Sequence, residues 1–354
     1  MTRERRRRLD PSVFHLPVDR MREGYYSDKY FVRAREILKA DRYSPHVMMQ
    51  VFGKASGFLG GMDEAIAILK LCSDDWNHLR VRALYDGDEI SPWETVMTIE
   101  GPYESFAHLE TVYLGVLARR TRVGTNTRLV VNAARPKTVM FFPARHDHWL
   151  VQTGDGYAAH IAGAIGVSTD AQASWWGSSG IGTVPHALIA AYGGDTVKAT
   201  ERFARYIDPN VQIITLVDYD NDCVRTSLAV ARALGSRLWG VRLDTSENMV
   251  DRSIIPMMGS FRPTGVNPQL VRNVRRALDR EGFAEVKIVV SGGFTVEKIR
   301  MFEELGVPVD SYGVGSSLFA GRFDFTADIV QVDGKPESKE GREGRSNPRL
   351  ELVD

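Results

Sequence analysis

The sequence predicts an α/β protein in which an N-terminal α+β part precedes an α/β barrel. Three observations carry this reading. From Thr121 onward, short β-branched runs alternate with helical segments, the rhythm of a parallel sheet. Two Gly-rich turns, Ser291-Gly292-Gly293 and Gly313-Val314-Gly315-Ser316-Ser317, close consecutive predicted strands. Charged side chains fall at the ends of those strands, the functional end of such a barrel. The 354 residues are 43% hydrophobic, enough for two domains around a large core. The 45 basic and 45 acidic side chains balance, which excludes a dedicated nucleic-acid binder. Cys72 and Cys223 lie far apart and supply neither a disulfide framework nor a Cys-based zinc site, so a reducing cytoplasm fits. No apolar run reaches membrane-spanning length, and no signal-peptide pattern precedes Leu9.

Taken in order, MTRERRRR reads as a solvated, mobile arm. Residues 21–38 carry a short helix with Ser27 or Asp28 as N-cap, which puts Tyr30 and Phe31 on its first turn. His46 to Phe52 is a strand, 53–61 a Gly-rich loop, and Met62 to Cys72 an apolar helix. Arg80 to Tyr85 and Trp93 to Glu100 are strands around the Asp86-Gly87-Asp88 turn, with an antiparallel look. Gly101-Pro102 stops the second, and Glu104 to Arg120 is a long helix. A separate helix is expected over 127–134 before the buried strand 137–142. A helix over 155–165 and a very short strand at 166–168 follow, then the small-residue loop 174–183. Pro185 suits N1 of the next helix. Strands at 211–217 and 238–243 each end in acidic runs. Lys287 to Val290, a helix from Val296 capped by Thr295, and Val309 to Tyr312 form a βαβ unit. Ile329 to Val332 fits one last strand, and 334–345 reads as an exposed polar segment.

Glycine lets backbone N–H groups close on an anion, and a following helix N-terminus adds partial positive charge. Two adjacent Gly/Ser turns therefore point to a phosphate site, although a single such turn would serve only as a tight connection. Arg145 with His148, Asp218 with Asp220, and Arg242 with Asp244 end predicted strands. That set suits an anionic substrate held by arginine, with carboxylates for hydroxyls, a metal or a cationic transition state. Each of these, taken singly, would serve equally as a rim salt bridge. His186 falls in a first helical turn facing the small-residue loop, where a structural histidine is the commoner case.

Five stretches occur in order: Ile99-Glu100-Gly101-Pro102, Gly182-Thr183-Val184-Pro185-His186-Ala187, Arg242-Leu243-Asp244-Thr245, Ser291-Gly292-Gly293-Phe294 and Gly313-Val314-Gly315-Ser316. Together they resemble the nicotinate phosphoribosyltransferases and, more loosely, the quinolinate phosphoribosyltransferases, over Ser27 to Gln331. The resemblance implies an N-terminal α+β domain packed on an irregular, incomplete α/β barrel, with the site shared across a homodimer or higher homo-oligomer. The implied divisions are a basic flexible arm over 1–20, the N-terminal domain over 21–125, the barrel over 126–325 and a polar tail over 326–354 that either stays free or returns to the N-terminal domain.

The implied reaction joins nicotinate to phosphoribosyl pyrophosphate for NAD biosynthesis, with magnesium, and with ATP coupled through a phosphohistidine matched by His186. Tyr30 matches a tyrosine near the pyridine ring, and Arg145 and Arg242 match carboxylate- and phosphate-binding residues. Thr183 joins the substrate-binding set, in which Ser291, Gly292 and Gly293 with Gly313, Val314, Gly315 and Ser316 hold the 5′-phosphate. Asp218, Asp220 and Asp244 serve the ribose hydroxyls and the transition state, with Asp220 and Asp244 on magnesium. The chain reads Ala144-Arg145-His146 where the family often has Arg-Arg, which leaves nicotinamide open as the base. Quinolinate phosphoribosyl transfer is the close alternative; its second carboxylate needs more cations, and His186 with the short basic set here favours nicotinate. A phosphate-binding barrel lyase or isomerase is the distant one, although Lys137 and Lys287 begin their strands instead of ending them.

Overall fold

The computed structural model describes residues 7–354, so the first six residues of the expected N-terminal arm lie outside the described residues. Contacts divide the chain into two compact units. The first takes the chain up to Thr125 together with Tyr157–Ala162 and Gly321–Asp354, and the second takes Asn126–Gly156 and Gly163–Ala320.

The first unit holds a six-stranded antiparallel sheet. Its order is Lys335–Pro336, Phe325–Val332, His46–Gly53, Thr95–Pro102, Arg80–Ala83, Glu351–Leu352. Period-2 alternation is visible in Arg80–Ala83, where Val81 and Ala83 are buried and the arginines are exposed. The helix Met62–Cys72 packs Met62, Ala65, Ile66, Ile68, Leu69 and Cys72 into this unit's core. Its apolar residues surround it because the core lies on more than one side.

Three expectations change here. The anticipated break after Arg120 is absent: one helix runs Glu110–Ala134, preceded by Tyr103–Phe106 and a 3-10 turn at Ala107–Leu109. Thr121 is no helix breaker in this setting. Its hydroxyl is buried, accepts from the Gly60 N–H at 3.1 Å and donates to the Gly60 carbonyl at 3.2 Å. Residues 7–20 are also better anchored than a mobile arm. The Arg8 guanidinium pairs with buried Asp63 at 2.9 Å and donates to the carbonyls of Ala83 and Leu84. The last strand is Phe325–Val332, longer than expected, and it pairs with His46–Gly53. The polar segment beyond it is mostly exposed yet pinned, because the buried Gln50 amide accepts from the Arg345 N–H and donates to the Glu343 carbonyl.

The second unit is built on six parallel strands in the order Gly166–Val167, Thr138–Phe141, Ser311–Val314, Lys287–Val290, Leu238–Leu243, Ile213–Leu216. Buried runs such as Ile288, Val289 and Val290 suit strands covered on both faces. The two outermost strands do not pair with each other. Backbone at 181–184 lies against both: the Ile181 N–H donates to the Val167 carbonyl at 2.7 Å, and the Val184 N–H to that of Ile214 at 2.9 Å. The sheet is thus an incomplete barrel whose seam is filled by the small-residue loop. Gly313 and Val314 belong to a strand and not to the turn after it, so the strand runs Ser311–Val314. Gly313 is required there because a Cβ would come within 2.6 Å of the Phe142 ring. Helix caps follow the expected chemistry: Asn267 accepts from Leu270 N–H, Asp222 from Arg225 and Thr295 from Lys298. Pro185 is itself the cap, with extended backbone, so His186 is the first helical residue.

The first unit contains a buried ion pair, with Arg120 Nε 3.0 Å from Glu64 Oε2 and both residues about nine-tenths buried. Removing one partner strands the other charge, so Arg120→Met is expected to cost about 3–5 kcal/mol in urea unfolding. The double variant Arg120→Met with Glu64→Leu is expected to recover most of that loss.

Candidate active site

Register builds the site. The Ser291 N–H donates to the Leu243 carbonyl at 2.9 Å, the Val217 N–H to the Arg242 carbonyl at 3.1 Å and the Phe142 N–H to the Val314 carbonyl at 2.8 Å. These bonds align the carboxyl ends of adjacent strands, so the loops that follow them open onto one pocket. That pocket, of about 400 Å³, is lined by Phe142, Arg145 and His146 after one strand and by Arg242 at the end of another with Asp244 and Glu247 after it. The Gly292–Thr295 turn and Gly313 with Gly315–Ser317 complete it.

Arg242 ties three segments together. Its Nε donates to Ser291 Oγ at 2.8 Å, Nη1 to Thr183 Oγ1 at 3.3 Å, and Nη2 meets Asp244 Oδ2 at 3.4 Å. Ser291 Oγ in turn donates to Asp244 Oδ1 at 2.6 Å. The guanidinium also lies over the Phe142 ring, 5.1 Å from its centroid. A planar five-donor group suits this fork, which a lysine could not reproduce.

The glycines of the first turn are needed. Gly292 and Gly293 have φ of +84° and +65°, and a Cβ on Gly293 would sit 1.9 Å from Glu247 Oε1. Lys298 Nζ donates to the Gly292 carbonyl at 3.3 Å and lies over the Phe294 ring. Burial depresses the Lys298 pKa. In the second turn Gly315 carries the imidazole of His146 against its Cα. Val314 is wholly buried, so only its backbone is available.

His186 and Asp218 come together, with His186 Nε2 donating to Asp218 Oδ1 at 3.0 Å. That hydrogen bond raises the imidazole pKa above its ordinary value, against partial desolvation that lowers it, with the Asp218 and Asp244 charges adding to the rise. The other strand-end residues are placed differently. Asp220 forms an ion pair with Arg225 at 2.9 Å and does not line the pocket. His148 accepts from the Leu150 N–H and stacks on Trp149. Tyr30 belongs to the first unit, where it is 63% exposed and packs on Phe31. Among the described residues no group of three or more His, Cys, Asp or Glu side chains converges as a metal cage. Phe142, His146, Glu247 and Lys298 were not singled out from the sequence. His146 and Glu247 stand inside the polar runs that end their strands, a signal that was available; Phe142 and Lys298 carried none.

The pocket can therefore hold a phosphate on two Gly/Ser turns, with arginine and carboxylate groups above it. Asp218→Asn is expected to bring the His186 pKa back down towards that of free imidazole, read from the pH titration of its ring proton by NMR. An unchanged midpoint would mean that the 3.0 Å contact contributes nothing in solution.

Comparison with known proteins agrees with this geometry. Residues 28–121 match the family model for the quinolinate phosphoribosyl transferase N-terminal domain. A nicotinate phosphoribosyltransferase of Mycobacterium tuberculosis is 31% identical over 265 residues, covering 72% of this chain and 54% of that protein. One from Bacillus subtilis is 23% identical and is covered over 45% of its length. The chain thus spans about half the length of these curated relatives. Among solved structures, human nicotinic acid phosphoribosyltransferase shares the fold, with a TM-score of 0.70, 16% identity and coverage of 90% of this chain and 77% of that one. The nicotinate-nucleotide pyrophosphorylase of Pyrococcus furiosus has a TM-score of 0.81 and 34% identity, over 96% of this chain and 85% of that one. With that extent of identity, the chain belongs to the type II phosphoribosyltransferase family, which contains the nicotinate and quinolinate enzymes.

Proposed function

We propose that this protein is a nicotinate phosphoribosyltransferase, which exchanges pyrophosphate on phosphoribosyl pyrophosphate for nicotinate in NAD biosynthesis. The observation that carries the reading is the tie of Arg242 to Ser291, Thr183 and Asp244 above two Gly/Ser turns. The nicotinate phosphoribosyltransferases of Mycobacterium tuberculosis and Bacillus subtilis support nicotinate as the base. The pyridine nitrogen is already a nucleophile, so the protein's task is positioning and charge stabilisation. Backbone N–H groups at Gly292, Gly293, Gly315 and Ser316 hold the 5′-phosphate. The Asp244 carboxylate, fixed by Arg242 and Ser291, faces the ribose and favours positive charge developing at its anomeric carbon. Asp218 stands one strand away and is already engaged with His186.

Asp244 and Glu247 in one pocket fit a magnesium ion that keeps water and takes most other ligands from pyrophosphate. Asp220, paired with Arg225, does not fit that role. Bound there, the ion would neutralise the leaving pyrophosphate. ATP coupling is part of the same proposal. With Nε2–H donated to Asp218, Nδ1 of His186 carries the lone pair that attacks the γ-phosphorus while ADP leaves, and Asp218 balances the imidazolium charge so formed. A homodimer or higher homo-oligomer in the cytoplasm, with Tyr30 at the base, completes the proposal.

The test is turnover of nicotinate, nicotinamide and quinolinate with phosphoribosyl pyrophosphate and magnesium, with and without ATP. Nicotinate is the expected substrate, with stimulation by ATP and acid-labile label on His186. His186→Ala is expected to lose label and stimulation while keeping weaker ATP-independent synthesis. Quinolinate turnover without an ATP effect would replace this reading with the quinolinate one. Asp244→Asn is expected to lower kcat on the order of a hundredfold while leaving the melting temperature nearly unchanged. A sharp loss of stability with normal activity per folded molecule would make Asp244 structural.

A further inference from the structure

The phosphate pocket is lined by three basic side chains, Arg145, His146 and Arg242. Arg242 is occupied by Ser291, Thr183 and Asp244, so its donors serve the protein's own framework. Among the described residues neither Arg145 nor His146 is in an ion pair. The two leave the strand Thr138–Phe141 in a 3-10 turn, closed by the His146 N–H on the Pro143 carbonyl at 2.8 Å. The Phe142 N–H on the Val314 carbonyl places this turn beside the one after the neighbouring strand. There the His146 ring stands over Gly315: a Cβ added to that glycine would lie 3.0 Å from Cε1 and 3.6 Å from Nδ1. A side chain at that position would press on the imidazole, which would have to give by a few tenths of an ångström.

We infer that His146 is a substrate-binding residue whose imidazolium donates to the 5′-phosphate held at Gly315 and Ser316. The inference rests on the phosphoribosyltransferase reading given above. A doubly charged phosphate beside an imidazole favours its protonated form, in which both ring nitrogens donate. The charged groups sharing the pocket are Arg145 on the same turn, Arg242 at the end of the strand Leu238–Leu243, and Asp244 and Glu247 on the loop after it; Lys298 reaches the Gly292 carbonyl. The two glycine turns themselves present no ionisable side chain. Phosphate binding then weakens as His146 loses its proton, where an arginine or lysine would hold it constant.

The experiment uses the full chain and calorimetric titration with ribose 5-phosphate, inorganic pyrophosphate and phosphoribosyl pyrophosphate at about pH 6 and about pH 8. The variants are His146→Gln and His146→Lys. At the lower pH His146→Gln is expected to bind ribose 5-phosphate roughly tenfold more weakly than the wild type, the size of one charge-assisted hydrogen bond. At the higher pH that ratio is expected to fall towards one, while His146→Lys keeps its advantage over His146→Gln at both. Taking ratios cancels the titration of the phosphate itself. Pyrophosphate, which has no 5′-phosphate, is expected to show no dependence on His146. In turnover, His146→Gln is expected to raise KM for phosphoribosyl pyrophosphate with kcat and the KM for nicotinate nearly unchanged. Equal affinity of wild type and His146→Gln at the lower pH, or a ratio independent of pH, overturns the inference while leaving the enzyme assignment standing. Dependence of pyrophosphate binding on His146 overturns the assignment to the 5′-phosphate. Failure of the wild type to bind either phosphorylated sugar overturns both readings.

Discussion

The Arg242 guanidinium is the interaction on which the candidate site depends. It projects from the last residue but one of the strand Leu238–Leu243 and reaches the serine that begins the next strand's turn, the threonine of the seam loop and the aspartate two residues on. Each contact alone is an ordinary hydrogen bond. Together they fix the relative positions of three loops that share no secondary structure. A phosphate pocket of backbone N–H groups needs that fixity, because donors help only when already aimed.

The incomplete barrel explains why a loop carries so much. Six parallel strands leave two outer edges without strand partners, and the segment at 181–184 hydrogen-bonds to both through Ile181 and Val184. Open edges would be a liability, and here the cover also delivers chemistry. Thr183 lies between the two edge contacts and reaches Arg242, and His186 begins the helix that follows. The small residues at 177–182 are consistent with backbone that must pass close by, as where Gly180 leaves only 2.7 Å for a Cβ against Thr169.

Charge is distributed by the same logic. His186 is held by Asp218, Asp220 by Arg225, and Arg242 by Asp244 and two hydroxyls. The carboxylates at the strand ends thus differ in availability although they look alike as sequence. Asp244 faces a pocket, Asp218 orients an imidazole, and Asp220 serves an exposed pair.

The sequence by itself determined the parallel alternation, the helix cap at Thr295 and the Gly/Ser turn at Gly292-Gly293, because each is set by local periodicity or by φ/ψ demands of neighbouring residues. It also determined that Arg242 and Asp244 stand at a strand end, since two residues of spacing are enough. Tertiary structure alone decided the rest. The helix through Thr121 continues because Gly60 lies where that hydroxyl can use it. Gly313 is a strand residue because it pairs in register with Met140, and it is glycine because the Phe142 ring occupies the space of a Cβ. Asp220 pairs with Arg225, and His146 meets Gly315, through side-chain directions and strand order that no local pattern encodes. Contacts across 169 residues of chain, as between those last two, follow from which strands lie side by side, and that is fixed by burial of the whole sheet and not by any one segment.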